Sequence, residues 1–324
     1  MSSPRVLCLG EILWDCLADQ VGLTLDQVQS WTPYAGGAPA NTACGLVKLG
    51  TSAGFIGAIG RDEPGQALVQ LLETVGVNTA GVQRHPTAPT RQVYVIRSLR
   101  GEREFAGFGG LDPSQFADAF LQPRHLWQEL FIHADFLVLG TLELAYPDTR
   151  EAIFQALDWA KVHRLQVMID VNWRPMFWPQ PEAAKPVIQK FLRFAHFVKL
   201  AREEAEWLFD SSNPGTLKTY LPTATGIIVT DGERGCRYYL GGQVGEVPGF
   251  RVPVVDTTGA GDGFWAGFIH QLCQGGLENV QDGERVREMI RFANGAGALT
   301  TLKPGAIDAQ PTEAEVITFL ATQS

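Results

Sequence analysis

Six short stretches of the chain are rich in strand-forming residues, and several of them are apolar nearly throughout: residues 5–10, 53–59, 135–140, 166–171, 196–200 and 225–230. Runs such as Phe136-Leu137-Val138-Leu139 and Ile227-Ile228-Val229 lack the alternation of a half-exposed strand. They predict strands covered by helices on both faces. Between them the apolar positions take helical spacing, over 39–49, 65–75, 148–163, 181–194, 202–209, 261–274 and 283–300. Phe264, Phe268 and Leu272, at i, i+4 and i+8, predict an apolar stripe on one face of a helix laid against a sheet. Strand alternating with helix predicts a doubly wound α/β fold with a mostly parallel sheet.

Two regions break this rhythm. Residues 12–34 and 90–108 read as alternating or turn-punctuated strands without helices between them. In the second, Gln92-Val93-Tyr94-Val95-Ile96, a Gly101-Glu102 turn and Arg103-Glu104-Phe105 read as a hairpin. The expectation is one domain over 1–324, with a small β lid formed by about 12–35 and 90–108.

Composition narrows the function classes. With 324 residues, 45% of them hydrophobic, the chain has enough apolar material for a large core. A formal net charge of −9 without clustered Lys and Arg argues against nucleic acid as a partner. No apolar window is long enough to span a bilayer, and the run after the first five residues is too short for a secretory signal. Five scattered cysteines without Cys-x-x-Cys spacing read as reduced thiols of a cytoplasmic protein. The six histidines show no metal-binding spacing. A small-molecule partner is expected.

Two glycine-rich segments carry the candidate chemistry. Asp256-Thr257-Thr258-Gly259-Ala260-Gly261-Asp262-Gly263-Phe264 ends in the start of a helix. Backbone N–H groups and the helix dipole there attract anions, and glycine lets a phosphate approach the backbone. Asp262 reads either as a helix-start carboxylate, favoured by capping and the dipole, or as a base that takes a proton from a hydroxyl held against the phosphate; in isolation the two readings balance. None of the seven lysines follows a glycine, so no Walker A loop is present. A dinucleotide-binding fingerprint is poorly supported, because the Gly-x-Gly lies far from the first strand and lacks a third glycine. The second segment, Gly36-Gly37-Ala38-Pro39-Ala40-Asn41, again opens a helix with a glycine pair.

In this order and separation the two segments resemble the signatures of the ribokinase/PfkB sugar-kinase family. The resemblance extends through Gly10-Glu11-Ile12-Leu13-Trp14-Asp15, Asp170-Val171-Asn172-Trp173-Arg174-Pro175, Thr230-Asp231-Gly232 and Asn294-Gly295-Ala296-Gly297-Ala298. It implies a ribokinase-like fold and transfer of the ATP γ-phosphoryl group to a primary sugar hydroxyl. Asp262 would be the base, with Gly259, Ala260 and Gly261 as the anion hole. Asp15, Gly36, Gly37 and Asn41 would bind the sugar and Phe105 would cover its apolar face, with Arg103 and Arg174 within reach of an acidic substrate. Thr230, Gly232 and Asn294 would line the nucleotide site. The resemblance further implies Mg²⁺, linked through water to Glu204, and K⁺ near Asp256. Separately, an exposed lid sheet leaves open strand edges, so a homodimer joined through the lids is expected. Ala201 stands where the family often has the Asn of an Asn-x-x-Glu motif.

Asn172-x-Arg174-x-x-x-Trp178 resembles the fructokinase and 2-keto-3-deoxygluconate kinase branch. The stretch Ala106-Gly107-Phe108-Gly109-Gly110 lacks the aromatic-arginine pair associated with the acid-sugar kinases, which favours D-fructose. Alternatives are 2-keto-3-deoxygluconate, another sugar of the family and, from another class, a non-catalytic sugar or nucleotide sensor.

Overall fold

Hydrophobic stretches that must bury both faces have only one arrangement open to them, a sheet sandwiched between helices, and this is what the computed structural model describes over residues 3–99 and 103–323. Nothing is described of the Gly101-Glu102 turn or of the Arg103 side chain. In chain order the described strands are β1 (Val6–Leu9), β2 (Leu13–Val21), β3 (Trp31–Gly36), β4 (Ala53–Gly60), β5 (Asn78–His85), β6 (Gln92–Arg97), β7 (Arg103–Gly107), β8 (Phe136–Leu139), β9 (Gln166–Asp170), β10 (Phe197–Ala201), β11 (Gly226–Thr230), β12 (Cys236–Leu240) and β13 (Gln243–Val247). The described α-helices are α1 (Ala38–Lys48), α2 (Glu63–Val75), α3 (Pro147–His163), α4 (Ala184–Phe191), α5 (Arg202–Phe209), α6 (Pro214–Tyr220), α7 (Ala260–Gly275), α8 (Gly283–Thr300) and α9 (Glu313–Ala321).

The large sheet has the order β13-β12-β11-β10-β9-β8-β1-β4-β5. Its pairs are parallel from β5 to β11, and β12 and β13 add an antiparallel edge. Each face has its own core. Val6 and Cys8 of β1 join α1, α2, α7 and α8 on one side, while Leu7 and Leu9 join α3, α4, α5 and α6 on the other. Successive strand residues point to opposite faces, so both must be apolar. The stripe expected for α7 is wider than one face: Trp265, Ala266, Ile269 and Cys273 are buried along with Phe264, Phe268 and Leu272. A helix enclosed between α1, α8 and the sheet has little solvent side left.

The chain lays β4 and β5 on one side of β1 and β8 to β13 on the other. This reversal makes the C-terminal ends of β1 and β8 a topological switch point, where open α/β sheets hold their ligands. Over that edge stands the second sheet, in the order β3-β2-β6-β7, with Arg97 opposite Arg103 and Ile96 opposite Glu104 in the antiparallel β6–β7 pair.

Candidate active site

A cavity of about 520 Å³ lies between the two sheets. Period-two spacing places its upper wall. Leu13, Asp15 and Leu17 of β2 share one face, as do Val93 and Val95 of β6, and all five line the cavity with Phe105 of β7. Strand and helix ends make the floor: Asp170 from β9, Lys199 from β10, Thr230 from β11, and Gly259, Gly261 and Asp262 at the head of α7.

At that head the two sequence readings of Asp262 separate. The residue that caps α7 is Gly259, at φ 77°, which has no side chain to bond the helix's first N–H groups. A side chain on Gly259 would be strained there, and its Cβ would fall within 2.9 Å of Ala306 backbone. Asp262 instead turns into the cavity, where its Oδ2 accepts a 2.8 Å hydrogen bond from Asn41 Nδ2. Burial, then the neighbouring Asp170 carboxylate, push its pKa up to about 6, against the opposing pull of Lys199, Asn41 and Arg174.

The early glycine pair shapes the other side. Gly37 caps α1 at φ 108°, with Glu11 carbonyl oxygen 2.5 Å from where a Cβ would stand. Gly36 lies against Asp15, whose Oδ2 would be 2.6 Å from a Cβ. Asn41 follows one turn into α1, which carries its amide to Asp262.

Asp256 staples the loop before α7: its Oδ1 accepts from Thr258 N and Oγ1, and its Oδ2 from Gly305 N. Glu204 is similarly engaged, its oxygens accepting from Trp173 N at 2.6 Å and Ala201 N at 2.7 Å. Burial, then Asp170, raise its pKa. Ala201, the residue that precedes α5, offers no side-chain oxygen to that turn. The backbone pinned by Glu204 carries Trp173, which stacks on Trp207 at 4.5 Å. Arg174 is exposed at the cavity rim and donates to Trp173 O at 2.9 Å.

Thr230 lines the cavity and donates to Leu200 O. Gly232 and Asn294 do not line it. Gly232 opens a single 3₁₀ turn after β11, and Asn294, buried on α8, donates to Val247 O and Pro248 O, fixing the segment after β13.

A profile of the pfkB family carbohydrate kinases matches residues 3–313. The chain belongs to this kinase family. Among curated relatives, a probable chloroplastic fructokinase-6 of Arabidopsis thaliana is 37% identical over 97% of this chain and 82% of its own. Among solved structures, a fructokinase from Xylella fastidiosa with bound ATP superposes with a TM-score of 0.89, at 31% identity and 98% coverage of both chains. A fructokinase double mutant from Vibrio cholerae O395 bound to fructose, ADP and potassium ion gives a TM-score of 0.84, at 26% identity over 98% of this chain and 99% of that one. The fold is ribokinase-like.

Within the kinase cavity stand charges to which sequence reasoning gave no role. Lys199 Nζ lies 2.6 Å from Asp170 Oδ2, both buried. Glu11 is buried too: its Oε1 accepts from Ala38 N at 2.9 Å while its Oε2 has no partner, and burial, with Asp118 and Asp262 nearby, pushes its pKa up to about 8. A signal was present. A lysine inside Phe197-Val198-Lys199-Leu200 and an aspartate ending Val167-Met168-Ile169-Asp170 are charges in strands otherwise made for burial, and buried charges are almost always paired or functional.

Proposed function

We propose that this enzyme is a fructokinase, transferring the γ-phosphoryl group of ATP to a primary hydroxyl of D-fructose. The observation that carries the reading is Asp262: an uncapped, buried carboxylate with a raised pKa, held by Asn41 between the glycine turn of α7 and the small sheet. The sugar lies under that sheet. Asp15, Asn41 and the Gly36-Gly37 backbone take its hydroxyls, and Phe105 its apolar face. Arg174 closes the rim. Asp262 takes the hydroxyl proton as the new O–P bond forms, and the bond between the β,γ-bridging oxygen and the γ-phosphorus breaks with its electron pair left on ADP. The N–H groups of Gly259, Ala260 and Gly261 hold the charge on the moving group.

The nucleotide enters beside Thr230 and Gly232, with Asn294 acting through the 247–248 segment that it fixes. Among the described residues no cluster of three or more metal-ligating side chains stands ready. That fits Mg²⁺, which keeps several waters and arrives bound to phosphates, with Glu204 as a partner through water. When bound, it neutralises phosphate charge. K⁺ fits the 256–258 turn beside the anion hole, where the Asp256 carboxylate, bonded to Thr258 and Gly305, places negative charge in the loop. The potassium-bound relative supports this cation.

Carboxylates of Asp15 and Asp262 line the cavity. They repel an acid sugar, which favours fructose over 2-keto-3-deoxygluconate. The five free, buried cysteines suit a reducing compartment, and the cytoplasm is our assignment. We also assign a homodimer joined through the small sheets, whose outer strands β3 and β7 leave open edges. The deciding experiment is ADP release over a sugar panel. Fructose is expected to give the highest kcat/KM; a value for 2-keto-3-deoxygluconate at least roughly tenfold higher overturns the sugar assignment and leaves the kinase intact.

A further inference from the structure

The Lys199–Asp170 pair has no part in the reading above. The two residues are register partners across the parallel β9–β10 pair, so their side chains leave the sheet on the same side and meet. A buried ion pair adds little net stability over an apolar pair of similar volume. Lys199 is 6% exposed, in a strand otherwise apolar up to Ala201.

Placement separates this pair from a core brace. A Cβ on Gly261 would stand 3.2 Å from Lys199 Nζ and 3.7 Å from its Cε. The ammonium therefore borders the first turn of α7, across a gap that glycine leaves open. An ammonium has three N–H donors, and Asp170 takes one. Burial alone favours the neutral amine, but Asp170, Asp262 and Glu204 outweigh it and raise the lysine pKa, so the charge is kept. Arg174, the other cationic side chain on the cavity wall, is exposed at the rim.

We propose that Lys199 is a catalytic residue whose ammonium binds the phosphoryl group in transit beside the backbone N–H groups of α7, with Asp170 as the positioning residue that aims it. The proposal rests on the kinase reading. No proton moves at Lys199. As the O–P bond to the sugar forms and the bridging bond breaks, charge spreads over the phosphoryl oxygens, and a cation already in place needs no reorganisation to meet it.

The test uses the full chain with Mg²⁺ and ATP, in three forms: wild type, Lys199→Met, and Lys199→Met combined with Asp170→Asn. The double variant guards against misfolding, because Lys199→Met alone strands a buried carboxylate. Two readouts are taken: kcat and sugar KM, and the affinity for ADP with and without aluminium fluoride, a mimic of the phosphoryl group in transit. Both variants should lose about 10²–10³-fold in kcat while sugar KM stays within about threefold. Aluminium fluoride should tighten ADP binding to the wild type and to neither variant. Thermal stability should return in the double variant without turnover. A double variant within about fivefold of wild-type kcat makes the pair structural and overturns the proposal, as does tightening by aluminium fluoride that survives in either variant. If the wild type phosphorylates no sugar of the panel, the kinase reading fails and takes this role with it. An active wild type with unaffected variants sinks only the role of Lys199.

Discussion

Asp262 sits where a carboxylate is uncomfortable, and two opposite consequences follow from its raised pKa. As a base it works only when ionised, so kcat should fall as pH drops through about 6. Asp262→Asn should lower kcat by roughly 10²-fold or more with sugar and ATP still bound, and near-normal turnover would rule out the role. Stability moves the other way. The folded state holds this proton up to about pH 6, whereas the unfolded chain releases it near 3.8, so stability declines as pH rises through that window and stays reduced above it. Asp262→Asn should therefore be more stable than wild type at pH 7.5, by on the order of 2 kcal/mol, and the gain should vanish near pH 4 in thermal melts. Asn41 stabilises the ionised form through its 2.8 Å bond. Asn41→Ala should move the acid limb of the kcat profile to higher pH; an unmoved limb would show that the bond does not tune the base.

At the scale of elements, the turn from Asp256 to the head of α7 is held by positive backbone φ at Gly259 and by the Asp256 carboxylate. Gly259→Ala places a methyl group against Ala306 and forces φ from 77°. The expected result is a kcat loss of about tenfold or more with little change in sugar KM, since the anion hole moves and the small sheet does not. Equal kcat would show that the turn tolerates a side chain. K⁺ should stimulate turnover and Asp256→Ala should remove the response; equal wild-type rates with and without K⁺ discount the cation.

Elements buried on both sides were plain in the sequence, because continuous apolarity leaves few alternatives. Edge elements were not. β5, β12 and β13 carry mixed, half-exposed patterns such as Asn78-Thr79-Ala80-Gly81-Val82-Gln83-Arg84-His85, and α6 and α9 bury few residues. Periodicity weakens where only part of a face is covered. The helix expected over 181–194 is α-helical only from Ala184 to Phe191, with 3₁₀ turns at both ends. In the site, Asp262 and the glycine turns were legible because backbone demands leave a local mark. The partnership of Asp170 with Lys199 was not, since 28 residues separate them between strands that meet only through the sheet.

For the whole molecule, the open edges of the small sheet and exposed Val21 and Leu25 predict a dimer. Light scattering at micromolar concentration should return twice the chain mass, and a monomer mass would count against it. The path of the chain has a further consequence, for synthesis on the ribosome. The N-terminal strands are completed by its last third: Arg5 donates to Cys273 O, Thr51 bonds His270, Lys48 reaches Ile307 O, and Trp265 and Phe268 share a core with Val6, Cys8 and Phe55. At common translation speeds, roughly 10–50 s pass between the emergence of β4 and that of α7 and α8. Late in that interval, once β11 has emerged, the nascent chain can complete one core while the other sheet face still lacks α7 and α8, which makes it a ready substrate for chaperones. Chains halted before residue 257 should bind a hydrophobic dye and aggregate on release, whereas chains halted beyond the last helix, with a spacer to clear the exit tunnel, should do neither.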